Sequence, residues 1–255
     1  MSDIRTTIVL GDMHFPFEDV QAVLLAYNIV REVQPGRVVQ VGDLVDGYAL
    51  SRFPKDPERV APTLKQETDR ARYFVEAITA ECREAWWCGG NHDVRLDRYI
   101  AERAPMLAET HPSLHALLGI DEKRYVPYQK ALTFGKVSYL HDLGRSGVNA
   151  ARETLAAFGG SVCFGHTHRA GIVYDGDTQG TRRFALNVGW LGNPDEARYL
   201  HEAGKKGWMH GIGVVRQDRR GLAWANFVPF LLNERGDLTA VLDDHVFTQK
   251  APRKR

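Results

Sequence analysis

Eleven residues of three types recur in five short stretches. They are Asp12 and His14 in "GDMH", Asp43 and Asp46 in "GDLVD", Asn91, His92 and Asp93 in "GGNHD", His141 and Asp142 in "LHD", and His166 and His168 in "GHTH". Imidazole nitrogens, carboxylate oxygens and one carboxamide oxygen, with no sulfur among them, suit a hard or borderline divalent cation. Taken singly, each stretch has an ordinary reading. D-x-H forms turns, G-D after a strand caps helices, and a lone histidine is commonly a half-buried side chain. Taken together, His14, His141, His166, His168, Asp12, Asp43 and Asn91 offer seven donors, too many for one four-coordinate zinc. Shared by two cations with Asp43 between them, the same set gives each metal four protein donors and leaves room for a water. Two cations about 3.5–4 Å apart polarise a phosphoryl group and generate hydroxide near neutral pH.

Every one of these stretches follows an apolar run. "TTIVL" (6–10), "RVVQV" (37–41), "AWWC" (85–88), "KVSYL" (136–140) and "SVCF" (161–164) read as buried strands. Between them, apolar residues recur at helical spacing over 18–33, about 57–83 and 149–158. Strand–helix alternation with apolar strands predicts a parallel sheet covered on both faces, with loops at the strand C-termini converging on one crevice. Residues 94–130 break the rhythm. "VRLDRYIAERAPML" and "HPSLHALLGIDEKRY" predict short helices, read as an insertion over one sheet edge that would set substrate size. Beyond Gly171 the texture becomes short alternating segments separated by turn residues. They predict antiparallel strands in a second sheet packed on the first. Without a linker, repeat or low-complexity tract, 1–255 reads as a single domain.

Composition narrows the classes. Hydrophobic residues make up 44 % and charged residues 25 % of 255, as in ordinary soluble proteins. A net charge of +1 gives no global attraction to nucleic acid or acidic membranes, and only "APRKR" forms a basic cluster. No run approaches the roughly 20 apolar residues that span a bilayer, and the N-terminus lacks a leader pattern. Three cysteines without C-x-x-C spacing argue against a disulfide framework or a thiolate metal site. A reducing cytoplasm is the expected compartment.

In order, D-x-H, G-D-x-x-D, G-N-H-D, a strand-terminal histidine and G-H-x-H resemble the motifs of the calcineurin-like metallophosphoesterase superfamily. The resemblance spans Asp12 to His168. It implies an α/β fold, a four-layer α/β/β/α sandwich with two mixed β-sheets, and two divalent metal ions at its rim. Mn²⁺ is the first choice, with Fe, Zn²⁺, Ni²⁺ or Co²⁺ as alternatives. It further implies that Asp12, His14 and His168 hold one metal, that Asn91, His141 and His166 hold the other, and that Asp43 bridges. His92 would stay off the metals and assist departure of the leaving group, with Asp46 orienting its ring. Asp93 would bond backbone around its turn, and Asp142 would orient a neighbouring ligand. The implied reaction is in-line attack on phosphorus by a metal-bridging hydroxide.

The substrate is less legible. Protein phosphatases of the superfamily follow G-D-x-x-D with an arginine; Gly47 stands there, which favours phosphodiesters. A nuclease, a phosphomonoesterase and a metal-free scaffold remain as alternatives. The expected partner is a phosphoester, a nucleotide or nucleic acid among the candidates, with no membrane; the oligomeric state stays open. Arg95, with Arg98 and Arg103 on the same helical segment, is either a substrate-phosphate contact or part of a solvated face. Tyr125, Tyr128, Phe15 and Phe17 are either base-stacking platforms or walls. His111 and His115 read as surface histidines, and "NVGW" (187–190) as a structural turn.

Overall fold

The computed structural model describes residues 4–52, 61–176, 178, 180–196 and 205–252. In chain order its elements are β1 Arg5–Leu10, α1 Val20–Val33, β2 Arg37–Gln40, α2 Leu64–Glu81, β3 Ala85–Cys88, α3 Arg95–Arg103, α4 Leu114–Leu117, β4 Tyr125–Val126, β5 Leu132–Phe134 and β6 Val137–Tyr139. There follow α5 Ala150–Phe158, β7 Ser161–Phe164, β8 Ala170–Gly176, β9 Arg182–Val188, β10 Gly211–Gln217, β11 Ala223–Pro229, β12 Leu231–Leu232, β13 Leu238–Leu242 and β14 His245–Gln249.

Local chemistry sets the helix ends. Asp19 caps α1 by accepting the Ala22 N–H, and Gln34 closes it in a left-handed conformation. The second helix starts at Leu64, later than the apolar spacing suggests. Thr63 and Gln66 form a reciprocal capping box that satisfies two otherwise unpaired N–H groups. Residues 57–60 of the expected helix lie outside the described residues.

A six-stranded sheet runs in the order β11-β10-β1-β2-β3-β4, and a five-stranded sheet in the order β5-β6-β7-β9-β8. The strands β1 to β4 are parallel neighbours, while β10 and β11 extend that sheet antiparallel beyond β1. This corrects the sequence reading in one respect. The runs at 136–140 and 161–164 do not continue the first sheet; as β6 and β7 they build the second, alongside β9. The antiparallel strands after Gly171 are shared between both sheets. Apolar patterning marks a strand as buried on two faces but does not say which neighbour it pairs with. A three-stranded sheet, β12-β13-β14, closes the described chain and was not anticipated.

Three cores separate the layers. In β1, Val9 faces the second sheet and joins Val39, Val41, Tyr139, Leu186 and Val188, whereas Ile8 and Leu10 face the helices. There they meet Leu25 and Ile29 of α1 and Phe74, Val75 and Ile78 of α2. The third core puts Leu155 of α5 on Val162, Phe164 and Ala185 of the second sheet. The order is therefore helices, sheet, sheet, helix, with β13 and β14 packed beside α1 in the outer helical layer. Each fully buried Ile or Leu contributes roughly 1.5–3 kcal/mol. The stretch 94–130 holds α3, α4 and β4, and β4 forms the sheet edge beside β3. Among the described residues no helix is long and apolar enough to cross a membrane.

Candidate metal centre

All five motif loops meet at one rim, three from the first sheet and two from the second. Asp12 and His14 follow β1, Asp43 and Asp46 follow β2, and Asn91, His92 and Asp93 follow β3. Facing them, His141 follows β6, and His166 and His168 follow β7. The backbone at five of these residues is left-handed, with φ of 50° at Asp12, 54° at His14, 54° at Asp43, 70° at His166 and 57° at His168. For residues with a Cβ that conformation costs roughly 1 kcal/mol each. It is held by bonds between the loops: the N–H groups of Met13 and His14 both donate to Asp43 O at 3.0 Å, and Gly165 N donates to His141 O at 3.0 Å. Two glycines permit the close approach. A Cβ at Gly90 would collide with the Asp43 carboxylate, and one at Gly165 with that of Asp12.

The side chains form two adjoining groups. In the first, His14 Nε2 lies 3.1 Å from His168 Nε2, and Asp12 Oδ1 lies 3.5 Å from His168 Nε2 and 4.0 Å from His14 Nε2. In the second, Asn91 Oδ1 lies 2.8 Å from both His141 Nε2 and His166 Nδ1. Asp43 Oδ2 stands between the groups, 3.8 Å from His14 Nε2 and 3.2 Å from His141 Nε2. Donors bonded at 2.0–2.2 Å to one cation are separated from each other by about 3.0–3.5 Å, so these spacings fit metal coordination. The nitrogen–oxygen donor set fits it as well. His141 Nδ1 bonds Val41 O at 2.9 Å, which turns Nε2 toward the other donors.

The electrostatics favour a cation at this point. Burial works against charge on His141, yet the Asp43 carboxylate beside it overcomes that, and the imidazole is pushed up to about 10. Burial also opposes charge on Asp43, but His141 and His92 hold it well below the usual carboxylate range. Asp12 is pushed up to about 6 by burial, against the pull of His141. His168 is drawn down to about 3, chiefly by burial. The site thus keeps one buried carboxylate ionised and draws a compensating positive charge to it.

His92 stands at the edge of the cluster, its Nε2 4.0 Å from Asp43 Oδ2. Its Nδ1 lies 2.9 Å from Asp46 O and 3.3 Å from Asp46 Oδ2. Burial lowers its affinity for a proton, but Asp43 and Asp46 outweigh that and raise it. The Asp46 carboxyl stays well below its ordinary range despite burial, held by His14 and His92. Arg95 is not on a solvated face: its side chain is 17 % exposed. Nη1 donates to Asp46 O at 2.7 Å, and Nη2 lies 3.2 Å from His92 Nε2. Beneath it Gly47 adopts φ 63°, and a Cβ there would come within 3.1 Å of Arg95 Cδ.

Asp93 accepts from Val45 N at 3.0 Å and Gly90 N at 2.8 Å, tying two loops together through backbone bonds. Asp142 differs from its expected role: it accepts from Gly144 N at 2.7 Å in its own loop, and the Val41 carbonyl supports His141 instead. Phe15, 3 % exposed, is a core wall that packs on Phe74. His115 stacks on Tyr125 at 4.7 Å, and Tyr128 meets His141 edge-on.

Two features escaped the sequence. Glu67 is fully buried and accepts from Gly47 N at 2.7 Å and Ala49 N at 3.3 Å, bracing the loop that carries Asp46. Its signal was a carboxylate on the apolar stripe of α2, in step with Ala71, Phe74, Val75 and Ile78. Trp190, read only as part of a turn, stacks on His168 at 4.6 Å and 10°, while Trp208 meets the same ring edge-on at 4.4 Å.

Facing mixed sheets whose strand ends gather imidazoles, carboxylates and one carboxamide define the class of metal-dependent phosphoesterases. The chain belongs to the calcineurin-like phosphoesterase family, whose model matches residues 5–170. Gene 54 protein of Mycobacterium phage D29 is 28 % identical over 231 residues, covering 84 % of this chain and 89 % of that protein. Gene 54 protein of Mycobacterium phage L5 is 28 % identical over 235 residues, with the same coverage. The crystal structure of Vps29 from Chaetomium thermophilum superposes with a TM-score of 0.54 at 12 % identity, covering 98 % of this chain and 100 % of that one. That last likeness is one of fold.

Proposed function

We propose that this protein is a phosphodiesterase that works with two divalent cations, Mn²⁺ foremost. The observation that carries the reading is the approach of Asp43 Oδ2 to donors of both groups, 3.8 Å from His14 Nε2 and 3.2 Å from His141 Nε2. Asp12, His14 and His168 would hold one cation, Asn91, His141 and His166 the other, and Asp43 both. Bound there, the cations supply Lewis acidity toward phosphoryl oxygens and an activated water as nucleophile.

The remaining chemistry belongs to side chains. His92 keeps Nε2 toward the rim while Asp46 fixes its Nδ1, so a proton held at Nε2 can pass to the departing alkoxide oxygen. Arg95, at the same rim, would donate to a non-bridging phosphoryl oxygen from the guanidinium edge beside His92. Preorganised donors of this kind stabilise charge where it develops. The preference for diesters rests on Gly47: the arginine of the protein phosphatases is missing from that position, and the guanidinium that reaches the rim is already bonded to Asp46. One shared guanidinium neutralises the single charge of a diester more fully than the dianion of a monoester.

The test is turnover of bis-p-nitrophenyl phosphate against p-nitrophenyl phosphate by the Mn²⁺-loaded protein. Cleavage of the diester above the monoester is expected, with loss of both activities in Asp43→Ala. Strong monoesterase activity with an inert diester would overturn the diester preference, and no cleavage of either would favour a scaffold.

A further inference from the structure

Beside the candidate metal centre lies a cleft of about 480 Å³ whose two walls carry most of the rim's positive charge. One wall is the turn from Ala49 to Arg52; the other is a single face of α3. Arg95, Arg98, Tyr99, Glu102 and Arg103 recur at i, i+3, i+4, i+7 and i+8, so they share one side of that helix. Asn91 lines the inner end, which makes the cleft continuous with the donor cluster. Four guanidiniums face one carboxylate, that of Glu102. Arg95 is committed to Asp46, but among the described residues no carboxylate lies within ion-pair distance of Arg98 or Arg103, and both are exposed. Tyr99, 46 % exposed, adds an aromatic surface between them.

A net charge of +1 hides this arrangement, because the arginines are concentrated at one place beside the reacting groups. From Arg95 to Arg103 the helix advances about 12 Å. A stacked strand rises about 3.4 Å per nucleotide, so that length accommodates about two or three successive phosphates. The volume falls within the range of small-ligand clefts, about 300–1,000 Å³, which suits one or two nucleotide units and not a duplex.

Resting on the phosphodiesterase reading, we propose that the cleft is the subsite for a nucleotide unit of the substrate bearing at least one phosphate beyond the scissile one. Arg98 and Arg103 hold the additional phosphate, and Tyr99 stacks on the base. A single-stranded oligonucleotide and a dinucleoside polyphosphate share this chemistry, and the experiment separates them.

The Mn²⁺-loaded protein and the Arg98→Ala/Arg103→Ala double variant are compared on bis-p-nitrophenyl phosphate, which has no second phosphate, on hexathymidylate and on diadenosine tetraphosphate. The ratio of kcat/KM for a nucleotide substrate to that for bis-p-nitrophenyl phosphate should fall at least tenfold in the double variant, through KM. The Arg98→Lys/Arg103→Lys variant should restore most of that ratio. The substrate with the larger fall identifies the source. Equal losses on all three substrates, or no loss, would overturn the subsite.

Binding separates the two readings. Fluorescein-labelled hexathymidylate, followed by anisotropy in the absence of metal, should bind at least tenfold more weakly to the double variant. The slope of log Kd against log salt should become shallower by about 1.4 for two lost phosphate contacts. If bis-p-nitrophenyl phosphate is not cleaved by the wild type, the phosphodiesterase reading fails while this measurement still decides the cleft. Unchanged affinity and slope would refute it.

Discussion

His92, Asp46 and Arg95 form a chain of contacts in which each constrains the next. Asp46 takes the Nδ1 side of the imidazole, and Arg95 grips the backbone carbonyl of Asp46. Because Asp43 and Asp46 raise the proton affinity of His92 against burial, its acid form persists to higher pH than an unassisted buried imidazole would allow. A general acid loses activity as pH climbs through its pKa. Asp46→Asn should therefore move the alkaline limb of the kcat profile to lower pH; an unmoved limb would mean that Asp46 does not tune His92. The seven donors and His92 were legible in the sequence, because each ends an apolar strand. Arg95 was legible as a candidate only, since helical spacing alone does not distinguish a solvated face from one pressed on a loop. Glu67 and the Trp190–Trp208 pair were not read, because their work is done through contacts 18 or more residues away.

At the level of elements, the loops matter more than the strands that carry them. Each loop holds its donors by backbone bonds to a neighbouring loop and by a glycine that lets two backbones come together. Gly90→Ala and Gly165→Ala should each abolish Mn²⁺ binding, measured by calorimetry, while circular dichroism retains the wild-type strand signal. Metal affinity within threefold of the wild type would show that the loops can move apart to admit a methyl group. The strands and principal helices followed from periodicity. Sheet membership did not, since a strand buried on both faces satisfies either partner, and the pairing of β6 and β7 with β9 depends on contacts that no local pattern encodes. The short strands β13 and β14 were missed for a related reason: their alternation is brief and lies among charged residues.

Across the whole molecule, the candidate centre joins two sheets. Asp12, Asp43 and Asn91 come from the first and His141, His166 and His168 from the second, so a cation held among them links both halves of the sandwich. Ligand bound only by the folded state adds about 2.7 kcal/mol of stability at a hundredfold excess over Kd. For a chain of this size, at about 2–4 °C per kcal/mol, saturating Mn²⁺ should raise Tm by roughly 5–11 °C. Asp43→Ala should lose most of that rise. An unchanged Tm on metal addition would argue against coordination that bridges the sheets.

The stacking of Trp190 on the His168 ring, with Trp208 against the same edge, carries one more consequence. An indole in van der Waals contact with a donor imidazole shares its electronic surroundings. Its emission is then governed by the charge on that imidazole and by any paramagnetic ion beyond it. The protein thus contains its own optical reporter, placed where occupancy of the centre can be followed in real time without a label.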